Sequence, residues 1–512
     1  MRKILKILFS RFAIVTILIL AQFALILYLL FGFRPNMLYY FVACYAIAAV
    51  FSIIIMIKDE IPEYKLPWLL TILLVPGFGF ALYCLFGRTK ARRRDRKRFK
   101  QINNLNKQYI KSNIDLKDIE NDNARQIFYY LNDYIKLGVY KNTSIKYFPM
   151  GEDFLPCYIE DLKKAKKYIF IEYYILCHGK GFDQILDVLV EKMSQGVEVR
   201  MMYDDFGSIL YVKTNFARKM REKGINCKAF NRYIPLLSVM MNNRDHRKIT
   251  VIDGKVGYTG GLNLSDEYFN FYAKFGTWKD NAVRLEGEAV NNLTGAFLTM
   301  FNSKQEDIQK DYSKYIINYD NNHDEFEKRE GICCPFIEAP NPIYIDKIAK
   351  NVYLHLINTA KHTIDISTPY FVTDSELTNA ILNACKRGVK VNVLIPGIPD
   401  KKTVYILTVN TCRKIAKAGG NIYKYTPGFN HTKTVLIDNQ MAVVGTINLD
   451  YRSLAHNYEN AVLMYKNECI KDIQNDFEST FKISYKMTKE DLHIRKVKQF
   501  FISVYAIFSP LF

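Results

Sequence analysis

The stretch His431-Thr-Lys-Thr-Val-Leu-Ile-Asp438, closed by Gly445-Thr-Ile-Asn448, decides the fold because the chain contains it twice. The other copy is His246-Arg-Lys-Ile-Thr-Val-Ile-Asp253, closed by Gly260-Gly-Leu-Asn263, and every spacing is identical. An internal repeat predicts two structurally equivalent units. Apolar residues follow the motif and a turn separates them from its closing residues, so each copy predicts a β-hairpin.

The hairpins predict where the polar side chains of the motif lie. His and Lys are two residues apart, so they point to one face of an extended strand. With a two-residue loop, the register places His246 opposite Asn263 and Lys248 opposite Gly261. The second copy then pairs His431 with Asn448 and Lys433 with Thr446. Opposed residues are about 5 Å apart, so His, Lys and Asn form one cluster per hairpin.

Two such clusters suit the cleavage of a phosphodiester. A neutral imidazole attacks phosphorus, while a protonated imidazole on the other side gives its proton to the leaving alkoxide. Lysine and asparagine stabilise the phosphoryl charge, so no metal or other cofactor is expected. The candidate phosphate-binding residues are Lys248, Asn263, Lys433 and Asn448. The candidate catalytic residues are the motif residues His246, Lys248, Asp253, His431, Lys433 and Asp438, although Asp253 and Asp438 lie at the turns, which suits anchoring better than proton transfer.

The paired motif resembles that of the phospholipase D superfamily, over roughly residues 125 to 490. The resemblance implies two pseudo-twofold α/β lobes whose histidines meet at the interface and a phosphohistidine intermediate. Downstream, Asp280-Asn-Ala-Val aligns with Glu459-Asn-Ala-Val. A carboxylate that accepts a hydrogen bond from the second ring nitrogen sets the tautomer of a histidine and raises its basicity. By resemblance, Asp280 and Glu459 are the candidate His-orienting residues.

Finer features resemble the cardiolipin synthases within that superfamily. They include Pro76-Gly-Phe-Gly, Asn243-Arg-Asp-His246, Trp278-Lys-Asp280, Thr368-Pro-Tyr-Phe371 and Asp450-Tyr-Arg-Ser453. The resemblance implies that two phosphatidylglycerol molecules react to give cardiolipin and glycerol, with His246 as the nucleophile. A hydrolytic phospholipase D or another phosphatidyltransferase stays open as an alternative. Asp245 stands where asparagine is expected, and a negative charge beside His246 would raise the pKa of that imidazole.

The N-terminal region predicts a membrane protein. Residues 12–33 and 35–57 carry no charged side chain, and each run reaches the ~20 residues of a spanning helix. A third uncharged run, 66–87, is interrupted at Pro76-Gly-Phe-Gly and is predicted to be re-entrant or interfacial. Two spans place both basic ends of the region in the cytoplasm. We therefore expect a multi-pass protein of the cell membrane with its catalytic lobes on the cytoplasmic side.

Charge and cysteine usage narrow the class of partner. The net charge is +20, and residues 88–100 carry nine basic side chains against Asp95. Beside a membrane segment such a run contacts anionic lipid. A nuclease is disfavoured because membrane spans would confine an enzyme whose substrate is soluble, so no nucleic-acid partner is expected. The ten cysteines show no C-x-x-C pair and predict free thiols.

The sequence predicts an α/β protein with two phospholipase D-like lobes, each a mixed sheet flanked by helices, behind an N-terminal transmembrane helical region. In each lobe a strand, a helix ending at glycine and a second strand precede the motif, with helices at 182–195 and 375–387. The expected segments are a membrane region at 1–87, a basic and polar linker at 88–125, lobe one at 126–325, lobe two at 326–490 and a basic-apolar interfacial tail at 491–512.

Overall fold

The computed structural model describes residues 24, 28, 37–58, 60–87, 93–232, 243–303, 311–317, 331–340 and 346–511. These residues fall into two compact units. The small unit holds the described residues of Met1–Lys90 and Arg495–Phe512, and the large unit holds those of Ala91–Arg232 and Asn243–Ile494. Both copies of the repeated motif belong to the large unit.

The small unit begins with three helices, α1 (Met37–Met56), α2 (Pro62–Leu74) and α3 (Pro76–Phe86). The helix α2 ends before α3 begins because Pro76 has no amide hydrogen and its ring cannot continue the preceding helix. This is the interruption predicted for the run 66–87. A Cβ on Gly79 would lie 2.3 Å from the carbonyl oxygen of Thr71, so only glycine lets α3 pack this closely on α2.

The predicted span 12–33 lies outside the described residues except for positions 24 and 28, and the predicted span 35–57 contains α1. Over the residues that the structure describes, no helix has both the length and the apolar character that a membrane crossing requires.

The described part of segment 88–125, which the sequence predicts to be a basic and polar linker, is largely helical. It forms α4 (Arg93–Tyr109) and the start of α5 (Asp122–Tyr129). Phe99 and Ile102, three residues apart on one face of α4, are buried. Asn106 Nδ2 donates to the carbonyl of Gly295 and to Thr299 Oγ1, at 3.1 and 2.7 Å. The many charged residues of this segment conceal the narrow apolar stripe that attaches it to the first repeat.

The first repeat forms a seven-stranded mixed sheet. Its strands are β1 (Thr143–Phe148), β2 (Tyr168–Tyr173), β3 (Glu198–Asp204), β4 (Asn226–Phe230), β5 (Ile249–Ile252), β6 (Val256–Gly260) and β8 (Ala282–Gly287), while β7 (Thr277–Lys279) lies outside it. The order is β1-β8-β6-β5-β2-β3-β4, with β2, β3 and β4 parallel. The accompanying helices are α6 (Gly151–Lys163), α7 (Lys180–Ser194), α8 (Phe216–Glu222) and α9 (Val290–Ser303).

The second repeat forms an eight-stranded mixed sheet in the order β19-β13-β12-β10-β15-β16-β18-β9. Its strands are β9 (Ile332–Glu338), β10 (Thr363–Ser367), β12 (Lys390–Pro396), β13 (Asn421–Tyr425), β15 (Thr434–Ile437), β16 (Met441–Gly445), β18 (Glu459–Tyr465) and β19 (Tyr485–Lys486); the short strands β11 (Phe371–Val372), β14 (Gly428–Asn430) and β17 (Leu449–Asp450) lie outside it. The helices are α10 (Ile348–Thr359), α11 (Ser375–Lys386), α12 (Lys402–Lys417), α13 (Tyr451–Ala455) and α14 (Cys469–Lys482). Taken from the other edge, the order β9-β18-β16-β15-β10-β12-β13 is equivalent to the order β1-β8-β6-β5-β2-β3-β4 of the first sheet, and β19 is added at the end. This confirms an α/β fold of two mixed sheets flanked by helices.

The two sheets share a buried apolar core. Phe170, Val251 and Val283 of the first sheet and Val444 and Val462 of the second belong to one cluster of buried side chains. Within the large unit the repeats are therefore joined by hydrophobic burial as well as by the chain.

The tail contains one more helix, α15 (Lys496–Ile507), which belongs to the small unit and packs against α2. Phe500 and Phe501 on this helix are exposed. All ten cysteines are free thiols, which confirms the prediction.

Candidate active site

The repeated motifs form hairpins with the same three-residue turn. Ile252 pairs with Val256 and Ile437 with Met441, so residues 253–255 and 438–440 make the turns. The two-residue loop and the register predicted from it are wrong by one residue. Positive φ angles at Asp253 and Asp438 let the chain leave the strand one residue earlier, at the first position of each three-residue turn. Aspartate tolerates this conformation better than most residues because its short side chain bonds the nearby backbone.

Both turn aspartates bind backbone amides of the neighbouring strand. The Asp253 carboxylate accepts hydrogen bonds from the N–H groups of residues 166, 167 and 168 at 2.7–2.8 Å. Asp438 accepts the equivalent bonds from residues 361, 362 and 363. Each carboxylate therefore joins its hairpin to the strand that enters the same sheet. This contact is structural, and the hydrogen bonds of both carboxylates go to backbone N–H groups and not to the imidazole of a motif histidine.

Each motif histidine is held by backbone from the other lobe. The His431 N–H donates to the Lys279 carbonyl at 2.7 Å, where β14 runs parallel to β7. The His246 N–H donates to the Tyr458 carbonyl at 2.9 Å, beside a parallel bridge between Asp245 and Tyr458. In both halves the accepting carbonyl belongs to the residue immediately before a candidate orienting acid.

The imidazoles form carboxylate pairs across the two lobes. His246 Nδ1–H donates to Glu459 at 2.8 Å, and His431 Nδ1–H donates to Asp280 at 2.6 Å. Both carboxylates are fully buried. The pairing leaves the Nε2 atom of each histidine free of the carboxylate, as a nucleophile or base requires. Neither lobe carries a complete pair of its own.

The two carboxylates are supported differently. Glu459 accepts further hydrogen bonds from Thr446 Oγ1 and from Asn457 Nδ2. In the first lobe Gly261 occupies the position of Thr446, and a Cβ there would lie 1.9 Å from Asp280 Oδ1. The absent side chain makes room for the shorter aspartate to reach His431.

The motif lysines lie in the same electrostatic environment. Lys248 Nζ donates to the His246 carbonyl at 2.7 Å, and Lys433 Nζ donates to the His431 carbonyl. Burial lowers the pKa of Lys248 to about 7 and that of Lys433 to about 8, although Glu459 and Asp280 oppose the shift. The positive charge of Lys433 lowers the pKa of Lys248 further. An anion between the two ammonium groups would relieve this repulsion.

The pKa of each histidine lies well below its usual value. The first cause is burial, and the ammonium groups of Lys248 and Lys433 act in the same direction on both rings. Asp245 raises the pKa of His246, as its charge led us to expect, but burial and the lysines outweigh it. Asp245 is itself paired with Arg247, at 3.4 Å. Each imidazole is therefore neutral at physiological pH until a negative charge arrives.

The two motif asparagines are not equivalent. Asn263 Nδ2 donates to Tyr268 Oη at 2.7 Å, and its Oδ1 accepts from the Ile175 N–H at 3.1 Å. Asn448 is buried, and its Oδ1 has no hydrogen-bond partner among the described residues. The structure thus commits Asn263 to protein contacts, whereas Asn448 keeps an amide oxygen available.

Further side chains around the histidines were not assigned from the sequence. The Tyr174 ring lies 5.0 Å from His246, and the Tyr268 and Trp278 rings lie 5.6 and 5.5 Å from His431. Lys401 lowers the pKa of both histidines and lies 4.9 Å from the Tyr370 ring. Lys401 is 30 residues before His431 and carries no motif, so only the fold brings it near the site.

Two hairpins whose histidines pair with carboxylates from the opposite lobe define a phospholipase D-like protein. The family model described as "Cardiolipin synthase, PLD-like domain" matches residues 158–296 and 353–481. A second model, "Phospholipase_D-nuclease N-terminal", matches residues 45–88. The chain belongs to the cardiolipin synthase family of phospholipase D-like proteins.

Individual relatives agree with this family. A cardiolipin synthase of Oceanobacillus iheyensis is 31% identical, over 91% of this chain and 97% of the relative. A cardiolipin synthase of Staphylococcus aureus strain Mu50 is 34% identical, over 82% of this chain and 86% of the relative. The crystal structure of phosphatidylserine synthase from Haemophilus influenzae Rd KW20 has a TM-score of 0.55 at 13% identity and covers 72% of this chain and 95% of that structure, which supports the fold.

Proposed function

We propose that this protein is a cardiolipin synthase, a phosphatidyltransferase that joins two phosphatidylglycerol molecules to give cardiolipin and glycerol. The observation that carries the proposal is the pair of buried histidine–carboxylate contacts, His246 with Glu459 and His431 with Asp280. With a lysine beside each histidine, the site offers one nucleophile, one acid and the positive charge that a phosphodiester requires.

In the first half-reaction, His246 Nε2 attacks the phosphorus of one phosphatidylglycerol. The oxygen–phosphorus bond to the glycerol headgroup breaks, and protonated His431 gives its proton to the leaving alkoxide. The anionic substrate raises the pKa of His431, so this imidazole gains its proton on binding. Lys433 and Lys248 still lower the pKa of His431 beside the substrate, so the imidazolium gives this proton up readily.

In the second half-reaction, neutral His431 removes the proton from the terminal hydroxyl of a second phosphatidylglycerol. The resulting oxygen attacks phosphorus, the phosphorus–nitrogen bond to His246 breaks, and cardiolipin is released. Lys248, Lys433 and the Nδ2 amide group of Asn448 donate to the phosphoryl oxygens throughout, while Asn263 acts through Tyr268 and the backbone that it binds. Asp280 and Glu459 keep the Nδ1 protons in place.

We further propose that the protein is a multi-pass protein of the cell membrane with its large unit in the cytoplasm. Support comes from the uncharged runs 12–33 and 35–57, the basic residues that flank them, and phosphatidylglycerol as the substrate. Resistance to extraction from membranes at alkaline pH would support this assignment. Release into the supernatant would contradict it.

The decisive experiment is incubation of the full-length protein with phosphatidylglycerol, followed by thin-layer separation of the lipids. Cardiolipin and free glycerol in equal amounts support the transferase. Phosphatidic acid and glycerol would instead identify water as the acceptor and a hydrolytic phospholipase D. The double variant His246→Ala/His431→Ala is the matched control for a contaminating activity.

A further inference from the structure

The first lobe exposes apolar side chains on two neighbouring turns of the large unit. We call Phe206, Ile209, Leu210, Phe271 and Tyr272 the apolar lip. Leu210 is 87% exposed, and each of the others is more than 40% exposed. Single exposed apolar residues are ordinary on protein surfaces, but clustered ones mark sites of interaction.

The first turn of the apolar lip is fastened to the catalytic residues. The buried Asp204 carboxylate accepts hydrogen bonds from the N–H groups of Phe206 and Gly207 and also from that of Asp245, which precedes His246. Ser208 Oγ donates to the Tyr174 carbonyl at 3.1 Å, and the Tyr174 ring contacts His246. The turn therefore has a set position beside the nucleophile.

The second turn of the apolar lip follows Asn263 in the chain. The Phe271 N–H donates to the Asp266 carbonyl at 3.1 Å, and Tyr272 Oη donates to the buried Glu267 carboxylate at 3.3 Å. Burial and the Glu267 charge raise the pKa of both Tyr211 and Tyr272. The segment Leu176-Cys177 binds both turns, because the Leu176 N–H donates to Ser208 Oγ at 3.1 Å and the Cys177 N–H donates to the Leu264 carbonyl at 3.0 Å; the two turns therefore lie side by side.

Charge around the apolar lip suits an anionic lipid surface. Lys180, Lys213 and Lys274 are exposed near the two turns. The Asp266 carboxylate is directed inward instead, where it accepts hydrogen bonds from the N–H groups of Lys180 and Gly181. Exposed lysines that flank aromatic and aliphatic side chains are the combination found in segments that lie in a membrane interface.

The repeat shows that the fold does not require the lip. The turn after β12 in lobe two corresponds to the turn after β3 in lobe one. It exposes Ile398 among Asp400, Lys401 and Lys402, so its surface is mostly charged. Two halves with the same sheet order have therefore acquired different surfaces at equivalent positions beside the site.

We propose that the apolar lip inserts into the bilayer at the boundary between headgroups and acyl chains, where it admits an anionic phospholipid to His246. This inference rests on the proposed phosphatidyl transfer and adds the surface through which the substrate arrives. The phosphodiester lies at that boundary, so a lip beside the nucleophile lets the reacting phosphate enter while the acyl chains stay in the apolar layer.

The kinetic test compares the wild type with Leu210→Glu in the full-length protein. We expect turnover of phosphatidylglycerol in vesicles to fall roughly tenfold to a hundredfold, the cost of excluding one leucine from an apolar phase. Turnover of a short-chain phosphatidylglycerol dispersed as monomers should stay unchanged. Equal rates for both proteins on vesicles, or an equal loss on both substrates, would overturn the proposed insertion of the apolar lip. Neither result would contradict the proposed transferase activity. A wild type inactive on both substrates would overturn the proposed function itself.

A spectroscopic test measures insertion directly. Vesicles that contain brominated phosphatidylglycerol should quench the fluorescence of Leu210→Trp more than they quench that of the wild type, which has two native tryptophans. Ile483→Trp, at a position 54% exposed on lobe two, is the matched control and should not be quenched. Equal quenching of both variants, or of neither, would contradict the proposal.

Discussion

Replacing Glu459 by glutamine should disable the histidine of the opposite lobe. Glu459 belongs to the second repeat, yet its carboxylate accepts the Nδ1 proton of His246 at 2.8 Å inside the protein. An amide can instead donate to Nδ1, which moves the ring proton to Nε2 and removes the lone pair that attacks phosphorus. The variant tests whether the histidine–carboxylate contacts cross between the lobes in the working enzyme.

The expected magnitude follows from the distance and the burial. A unit negative charge about 4 Å from a developing imidazole charge contributes roughly 4 kcal/mol at an effective dielectric constant of about 20. That corresponds to about three orders of magnitude in rate. We therefore expect the first half-reaction to slow by about a thousandfold in Glu459→Gln.

The assay is a single-turnover reaction with phosphatidylglycerol labelled in its phosphate, stopped with base, which preserves phosphohistidine. Glu459→Gln should form the labelled protein slowly. Asp280→Asn, which affects His431, should instead impair the proton transfers to and from glycerol oxygens. Glu338→Gln is the matched control, because Glu338 is the buried strand partner of Glu459 and binds only backbone amides among its hydrogen-bond contacts in the structure. Labelling of Glu459→Gln at the wild-type rate would refute the crossed arrangement.

Three further predictions concern pH, packing at the site and the fold. The protonated forms of Lys248 and Lys433 bind phosphate, and the pKa values of these lysines are about 7 and about 8. We therefore expect kcat/KM for phosphatidylglycerol to fall as the pH rises through this range. A level profile up to pH 9 would argue against their role. Gly261→Ala should lower turnover at least about tenfold, because its Cβ would displace the Asp280 carboxylate, and unchanged kinetics would show that the close approach is unimportant. Ile102→Asp should lower the free energy of unfolding by about 3 kcal/mol, visible as a lower Tm, because Ile102 is fully buried on α4. Gln101→Asp, at the exposed neighbouring position, is the control. Equal Tm values for the two variants would show that α4 does not contribute to the folded core.

The main architecture was predictable because each copy of the repeat is a short, contiguous pattern in the sequence. Hairpin, helix and strand patterns lie within short windows, and the predicted helices at 182–195 and 375–387 agree with α7 and α11 to within two residues. Other features were not predicted correctly, because they depend on the conformation of a single residue or on a few apolar side chains along one helix. The predicted hairpin register was wrong by one residue because Asp253 and Asp438 adopt left-handed angles. The helix α4 was not predicted because only two of its apolar side chains, Phe99 and Ile102, are buried, and they stand among many charged residues.

The sequence by itself determined which chemical groups are present and that they occur as two sets, since the motifs are contiguous and their spacing is identical. Only the tertiary structure decided which acid serves which histidine, because the two lobes exchange partners through β7 with β14 and through Asp245 with Tyr458. It also decided the protonation states, since burial and the charge of the opposing lysine lower the pKa of each imidazole. The paired residues are 151 and 213 positions apart in the chain, so their distances depend on how the two sheets pack, and no local spacing encodes them.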